Sequence, residues 1–148
     1  RPGGLFSFSS LGPDTAAELR RLWRTLDAAV HVHSFMDMHD VGDALVRAGF
    51  SDPVMDVETV TITYPTVEHL VREFRQLGLT NVASGRPRGL GSRAKAQRLT
   101  SGYHALERAD GAVPVTVEVV YGHAWSVQRP TRVDGEVRVP LERIGRRQ

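Results

Sequence analysis

The spacing of apolar positions changes repeatedly along this chain, and each change marks an element. Leu5 to Ser9 alternates as a short strand behind the turn Pro2-Gly3-Gly4. Leu19, Leu22, Trp23 and Leu26 then recur at the spacing of one buried helical face. Pro13-Asp14-Thr15 precedes them, so a helix starts there with Asp14 or Thr15 as its cap and Glu18 in its first turn. A loop around Val30 to Met38 leads to a second helix, which Asp40 begins, Val41, Ala44, Leu45 and Ala48 stripe, and Gly49 ends. Val54 to Tyr64 alternates as a strand with one wetter face, and Pro65 stops it. Helical spacing returns in Val67, Leu70, Val71, Phe74 and Leu77, stops at Gly78, and resumes from about Ser92 to Glu107 through Ala96, Leu99, Tyr103 and Leu106. Asn81 to Gly91, rich in Gly, Arg and Pro, reads as a loop between them. Val115 to Trp125 forms a last long strand, followed by a Pro/Arg/Gly tail with a short strand at Val137 to Val139.

The order strand, helix, helix, strand, two-helix excursion, strand predicts an α/β fold in which helices cover an open sheet and a ligand crevice lies at the strand ends. Three strands leave a sheet edge to be covered, and Leu5 to Ser9 is the strand expected to need a partner. A turn connects two elements, and Pro2-Gly3-Gly4 has only Arg1 before it, so the chain reads as the back half of a larger domain.

Composition narrows the classes. With 148 residues, 41% hydrophobic and 24% charged, the chain has the makings of one core of ordinary size. No stretch has the roughly 18 consecutive apolar residues of a membrane span, and no signal peptide opens the sequence, so neither a membrane nor export is expected. The absence of cysteine excludes disulfides, thiolate metal sites and cysteine nucleophiles, and fits a cytoplasmic protein. The formal charge is only +2, yet Arg72, Arg75, Arg86, Arg88, Arg93, Lys95 and Arg98 face Glu73 alone between positions 72 and 98. A second basic run follows Trp125, at Arg129, Arg132, Arg138, Arg143, Arg146 and Arg147. Both favour acidic partners. Nucleic acid is disfavoured because no aromatic residues interleave the patch to stack bases.

Three motifs carry possible chemistry. His31, His33, Asp37, His39 and Asp40 are the right ligand types for a metal-dependent hydrolase. Capping of the second helix by Asp40, with His31 and His33 in the loop before it, accounts for the same residues without a metal. Gly89-Leu90-Gly91-Ser92-Arg93-Ala94 matches the G-x-G-x-x-A fingerprint, but Asn81 to Arg88 is no strand, so a loop with Ser92 capping the next helix is the better reading. Arg86-Pro87-Arg88 offers two planar guanidinium forks on a stiffened backbone, suited to a carboxylate or phosphate, against the reading of a solvated basic loop. Lys95 and Arg98 extend that patch.

Read together and in order, Pro2-Gly3-Gly4-Leu5-Phe6, Leu11-Gly12-Pro13-Asp14-Thr15, Asp37-Met38-His39-Asp40-Val41-Gly42-Asp43-Ala44-Leu45, Ala48-Gly49-Phe50, Thr63-Tyr64-Pro65, Gly85-Arg86-Pro87-Arg88-Gly89-Leu90 and Val119-Val120-Tyr121-Gly122-His123-Ala124-Trp125 carry a family resemblance. Over roughly residues 1 to 125 the chain resembles the C-terminal portion of the malonyl-acyl-carrier-protein O-methyltransferases of biotin synthesis, within the class I S-adenosylmethionine-dependent methyltransferases. The resemblance implies the C-terminal half of a Rossmann-like sheet, strands five to seven with the last antiparallel. It divides the chain into 1–64, the C-terminal part of the sheet; 65–112, a helical substrate lid; 113–125, the last strand; and 126–148, a basic tail.

The same resemblance implies a methyl donor, S-adenosylmethionine, whose glycine loop and ribose-binding acid the family places before strand five and which this sequence lacks. The chain alone is then expected to be inactive and to hold no cofactor. The implied substrate is malonyl-acyl carrier protein. A malonyl carboxylate calls for Arg86 or Arg88, with Tyr64, Tyr121 and His123 at strand ends to orient the reacting oxygen, although core or rim packing also explains those three. Arg93, Lys95 and Arg98 are the expected contacts to the acidic carrier. A methyltransferase relative acting on a protein substrate and a non-catalytic carrier-binding module are the competing readings.

Overall fold

The computed structural model describes residues 1–89 and 91–127, together with the backbone of Arg132–Val133 and Glu136–Val137. Three strands form the sheet: β1 (Leu5–Leu11), β2 (Phe50–Tyr64) and β3 (Val113–Ser126). β3 lies between the other two and runs antiparallel to both, so β1 and β2 are parallel to each other. The helices are α1 (Ala17–Arg24), α2 (Met38–Ala48), α3 (Val67–Gln76) and α4 (Arg93–His104). β4 (Arg132–Val133) and β5 (Glu136–Val137) pair as a separate short ribbon. The expected strand at 137–139 therefore overlaps β5 at Val137, and its other residues, like most of the tail, lie outside the described residues.

The alternation of β3 serves both faces of the sheet. At one end Val113 and Val115 join Tyr64, Val67, Leu70 and Tyr103 in a core that Leu19, Leu22, Phe74 and Val117 border, beneath α1, α3 and α4. At the other end Val120 and Ala124 are fully buried on the opposite face. There Gly122 leaves room for Phe8 and Met55, and Gly42 of α2 sits against Met55. Each fully buried valine contributes about 1.5–3 kcal/mol relative to exposure. β1 and β2 are both edge strands, each paired among the described residues only with β3, and Leu5 of β1, Val54 of β2, and Tyr121 and Trp125 of β3 are exposed at one end of the sheet.

Several local expectations are corrected. Neither Asp14 nor Thr15 caps α1; the N-cap is Ala16, held at φ 54°. β1 ends opposite Val119, and the chain after it closes the open edge of β3 instead. Gly12 N–H donates to the Glu118 carbonyl and Ala16 N–H to the Thr116 carbonyl, while the Thr15 hydroxyl exchanges hydrogen bonds with the Glu118 backbone. Glu18 accepts from the backbone N–H and the hydroxyl of Thr116. Satisfying that edge outweighs a cap, because unpaired buried backbone groups are costly. The cap of α2 is Asp37, not Asp40: its carboxylate accepts from the His39 N–H at 2.8 Å. Ser92 stands at the N-cap of α4 but makes no side-chain cap bond. β2 begins at Phe50 rather than Val54, through a bulge at which Asp52 adopts φ 49° and Pro53, which has no N–H, escapes the ladder.

Candidate functional site

The carboxyl ends of the parallel strands β1 and β2 point the same way, and α1, α3, α4 and two long loops gather around them. This is where an open α/β sheet binds ligands. The loops are stitched together. Arg20 of α1 donates to the carbonyls of Pro13, Thr15 and His33, fixing the 31–35 segment to the strand end. The Asn81 side chain donates to the Val30 carbonyl at 2.7 Å, and the N–H of Val82 to His33 Nε2 at 3.3 Å, which makes that ring nitrogen the acceptor. Residues 81–89 are thus a loop in shape, as expected, but one tied down across about fifty residues of sequence.

At its centre His31 stacks flat on Trp23, with ring centroids 3.6 Å apart. His31 Nε2 also meets Asp27 Oδ1 at 2.8 Å, and Lys95 Nζ donates to Asp27 Oδ2 at 2.7 Å. The Lys95 contact, followed by those from His31 and the Ala29 N–H, pulls the Asp27 carboxyl down to about 2 against the opposing effect of partial burial. Asp27 is accordingly anionic under all ordinary conditions and clamps α4 to the end of α1.

Three larger cavities open from this centre, beside a small one of about 200 Å³ lined by Trp23, Asp27 and His31. One of about 630 Å³ is lined by Trp23, Asp27, His31, Arg86, Arg93 and Lys95. A second, about 750 Å³, lies between α3 and α4. A third, about 480 Å³ and mainly apolar, reaches the strand ends at Leu11, Tyr64, Val115 and Val117. Asn81 lines all three. The site is a branched cleft with basic walls on the outside and apolar ones against the sheet.

The structure separates the expected site residues. Arg86 lines the first cavity, with Nη1 donating to the Val82 and Ala83 carbonyls, whereas Arg88 lines none of the three. Arg93 and Lys95 share that cavity with Arg86, and Arg98 is exposed outside it. Tyr64 lines the third cavity but is buried edge-on to Phe74, and burial and the Glu73 charge raise its phenol. Tyr121 and His123 are not brought here. They sit on β3 opposite Ser9 and Ser7, about 13 and 20 Å along the strand from Val117 at the usual rise per residue. Tyr121 there donates to Glu58. The histidines of the suspected metal cluster have separate partners: Trp23 and Asp27 for His31, Val82 for His33 and Asp37 for His39. Among the described residues no group of three or more potential ligands could hold a metal ion, and no helix is long and apolar enough to cross a membrane.

Trp23, Asp27 and Asn81 were not singled out from sequence as site residues. Trp23 reads as core at helical spacing, and Asp27 and Asn81 stand in loops whose partners are remote, so no local signal marked them.

Two parallel strands flanking an antiparallel last strand, with a helical excursion before it, make this the C-terminal part of a class I methyltransferase fold. Over 133 residues the chain is 51% identical to a malonyl-[acyl-carrier protein] O-methyltransferase of Laribacter hongkongensis, covering 89% of the chain and 44% of that relative. A relative of the same name from Gallionella capsiferriformans is 46% identical over 132 residues, covering 89% and 45%. Another, from Halorhodospira halophila, is 45% identical over 150 residues, covering 99% and 51%. No family model matches. The chain is similar to the C-terminal part of proteins of that name, and spans about half the length of the curated relatives it matches.

Proposed function

We propose that this chain is the substrate-holding part of a cytoplasmic methyltransferase that esterifies the free carboxylate of malonyl-acyl carrier protein at the start of pimeloyl synthesis for biotin, with S-adenosylmethionine as methyl donor. The observation that carries the reading is the basic cavity that adjoins the strand-end cavity at His31 and Asn81, in a chain so similar to enzymes of that name. In it Arg86 is the fork for the malonyl carboxylate. Two loop carbonyls accept from Nη1 of this cavity-lining side chain, so little side-chain freedom is lost on binding. Tyr64 and the apolar residues of the third cavity keep water from the reacting end. Residues 65–112 act as the lid, latched by Lys95 on Asp27. Arg93 and Arg98, which have no ion-pair partner among the described residues, steer the acidic carrier, and Lys95 contributes less because Asp27 already neutralises it.

The methyl donor does not fit the described residues. Its nucleoside needs a strand-to-helix junction with an open glycine turn and an acidic residue. The two junctions here are filled: Gly12 lies against Glu118, and Thr66 caps α3 through His69. No step is therefore assigned to this chain beyond holding, orienting and enclosing the carboxylate.

The test is to join the chain to the N-terminal half of the Laribacter relative and look for a methyl ester on malonyl-acyl carrier protein by mass spectrometry. Methylation at a rate near that of the intact relative is expected. A joined protein that folds and binds the methyl donor yet leaves malonyl-carrier unmodified overturns the reading, and carrier binding without transfer marks a non-catalytic module.

A further inference from the structure

We infer that the cleft between α3 and α4 receives a flexible, amide-containing arm ending in a phosphodiester, and that Arg72 and Arg75 hold the phosphate. The inference rests on the reading that the substrate is a thioester borne by a carrier protein, and it assigns the linking arm a site of its own. The cleft is the cavity of about 750 Å³, within the range of roughly 300–1,000 Å³ usual for ligand sites. Leu19, Val67, Leu70, Phe74 and Leu99 give it apolar walls, and Thr80, Asn81 and Thr100 punctuate them with polar groups. Such a surface suits methylenes interrupted by amides rather than a purely hydrocarbon chain.

Arg72 and Arg75, one turn apart on α3, line the same cavity. Both are exposed, and neither side chain makes an ion pair or hydrogen bond to another described residue. The basic groups of the neighbouring cavity are more committed: Lys95 is paired with Asp27, and Arg86 is tied to its own loop. Against the two free guanidinium forks the lining sets only Glu68, so the cleft is net cationic. Paired planar forks on adjacent turns match the oxygens of a phosphate. The cleft joins the Arg86 cavity through Trp23, Asn81 and Ala96. One ligand can therefore present an acyl carboxylate to Arg86 and a phosphate to α3.

Titration of the chain with phosphopantetheine and, separately, with pantetheine tests this, followed by amide NMR. The phosphorylated arm should bind at least about tenfold more tightly, since a charge-assisted fork contact is added, and should shift resonances of α3 and α4. Arg72→Ala/Arg75→Ala should reduce it to the level of pantetheine, while Arg47→Ala, at an exposed residue of α2, leaves it unchanged; Arg72→Gln/Arg75→Gln serves the same purpose if the alanine pair does not fold. Equal affinity for the two arms, no binding, or an advantage that survives the double substitution overturns the inference. The titration contains neither malonyl group nor methyl donor, so its result is separable from methyl transfer. Methylation without arm binding removes this site alone, and arm binding without methylation removes the reaction alone.

Discussion

Lys95 and Asp27 stand 68 positions apart in the chain and meet at 2.7 Å, joining the first turn of α4 to the loop after α1. That contact joins the Asn81–Val30 and Val82–His33 hydrogen bonds in tying the helical excursion to the loop after α1, and it is the largest of the effects that lower the Asp27 carboxyl from its usual 3.8 to about 2. A carboxyl lowered on folding contributes stability that is complete above its unfolded value and lost as pH falls through its folded one. Docking of α4 should therefore be constant above about pH 4 and weaken towards pH 2. Asp27→Asn should abolish that pH dependence and raise amide exchange in α4 at neutral pH. Unchanged exchange in the variant would show that packing alone holds the helix.

Arg86 and Arg88 should separate sharply in the joined enzyme. Arg86→Lys keeps the charge and loses the fork, which at about 1.5–3 kcal/mol for a charged hydrogen bond means a fall of about 10- to 100-fold in kcat/KM for malonyl-carrier. Arg88→Lys, at a residue that lines none of the three cavities, should match the parent. Near-parental rates in both variants would place the carboxylate elsewhere. Arg93→Ala should alter chiefly association rate and salt dependence.

Gly122 is required by packing. A Cβ there would stand 2.4 Å from Phe8 Cζ and 2.9 Å from Met55 sulfur, between fully buried Val120 and Ala124. Gly122→Ala should destabilise the fold by about 1–3 kcal/mol, read as a lower denaturant midpoint. Trimming Phe8 to Leu in the same chain should restore part of the loss, and an additive double variant would refute the steric account.

Tyr103 makes the opposite prediction. Its ring is 1% exposed in the core, and its hydroxyl has no hydrogen-bond partner among the described residues. Burial and the nearby Glu18 charge hold the phenol protonated well above its ordinary range. Tyr103→Phe removes a buried unsatisfied group and should be neutral or stabilising by up to about 1 kcal/mol. A clear loss of stability would reveal a partner for the hydroxyl.

The elements whose signals are local were legible in the sequence. The stripe Val41, Ala44, Leu45 and the stop at Gly49 located α2 to within two residues at its start, because helical period and a left-handed C-cap are encoded within a few positions. The alternation of Val54 to Tyr64 located most of β2, and the resemblance supplied the antiparallel last strand. Arg86 was singled out because guanidinium chemistry can be named without a fold. What a single stretch cannot encode is which remote group a side chain will meet. Thr15 and Glu18 look like helix-start residues in sequence, and only the early end of β1 opposite Val119 turned them to the edge of β3. Tyr121 and His123 lie on β3, the strand whose Val115 and Val117 line the site, but strand register, with Ser9 and Ser7 as their partners, places them towards its far end. Asp27, Trp23 and Asn81 became central for the converse reason. Loop closure over tens of residues brought together groups whose mutual attraction exists only at contact distance, and the tertiary structure alone decides that distance.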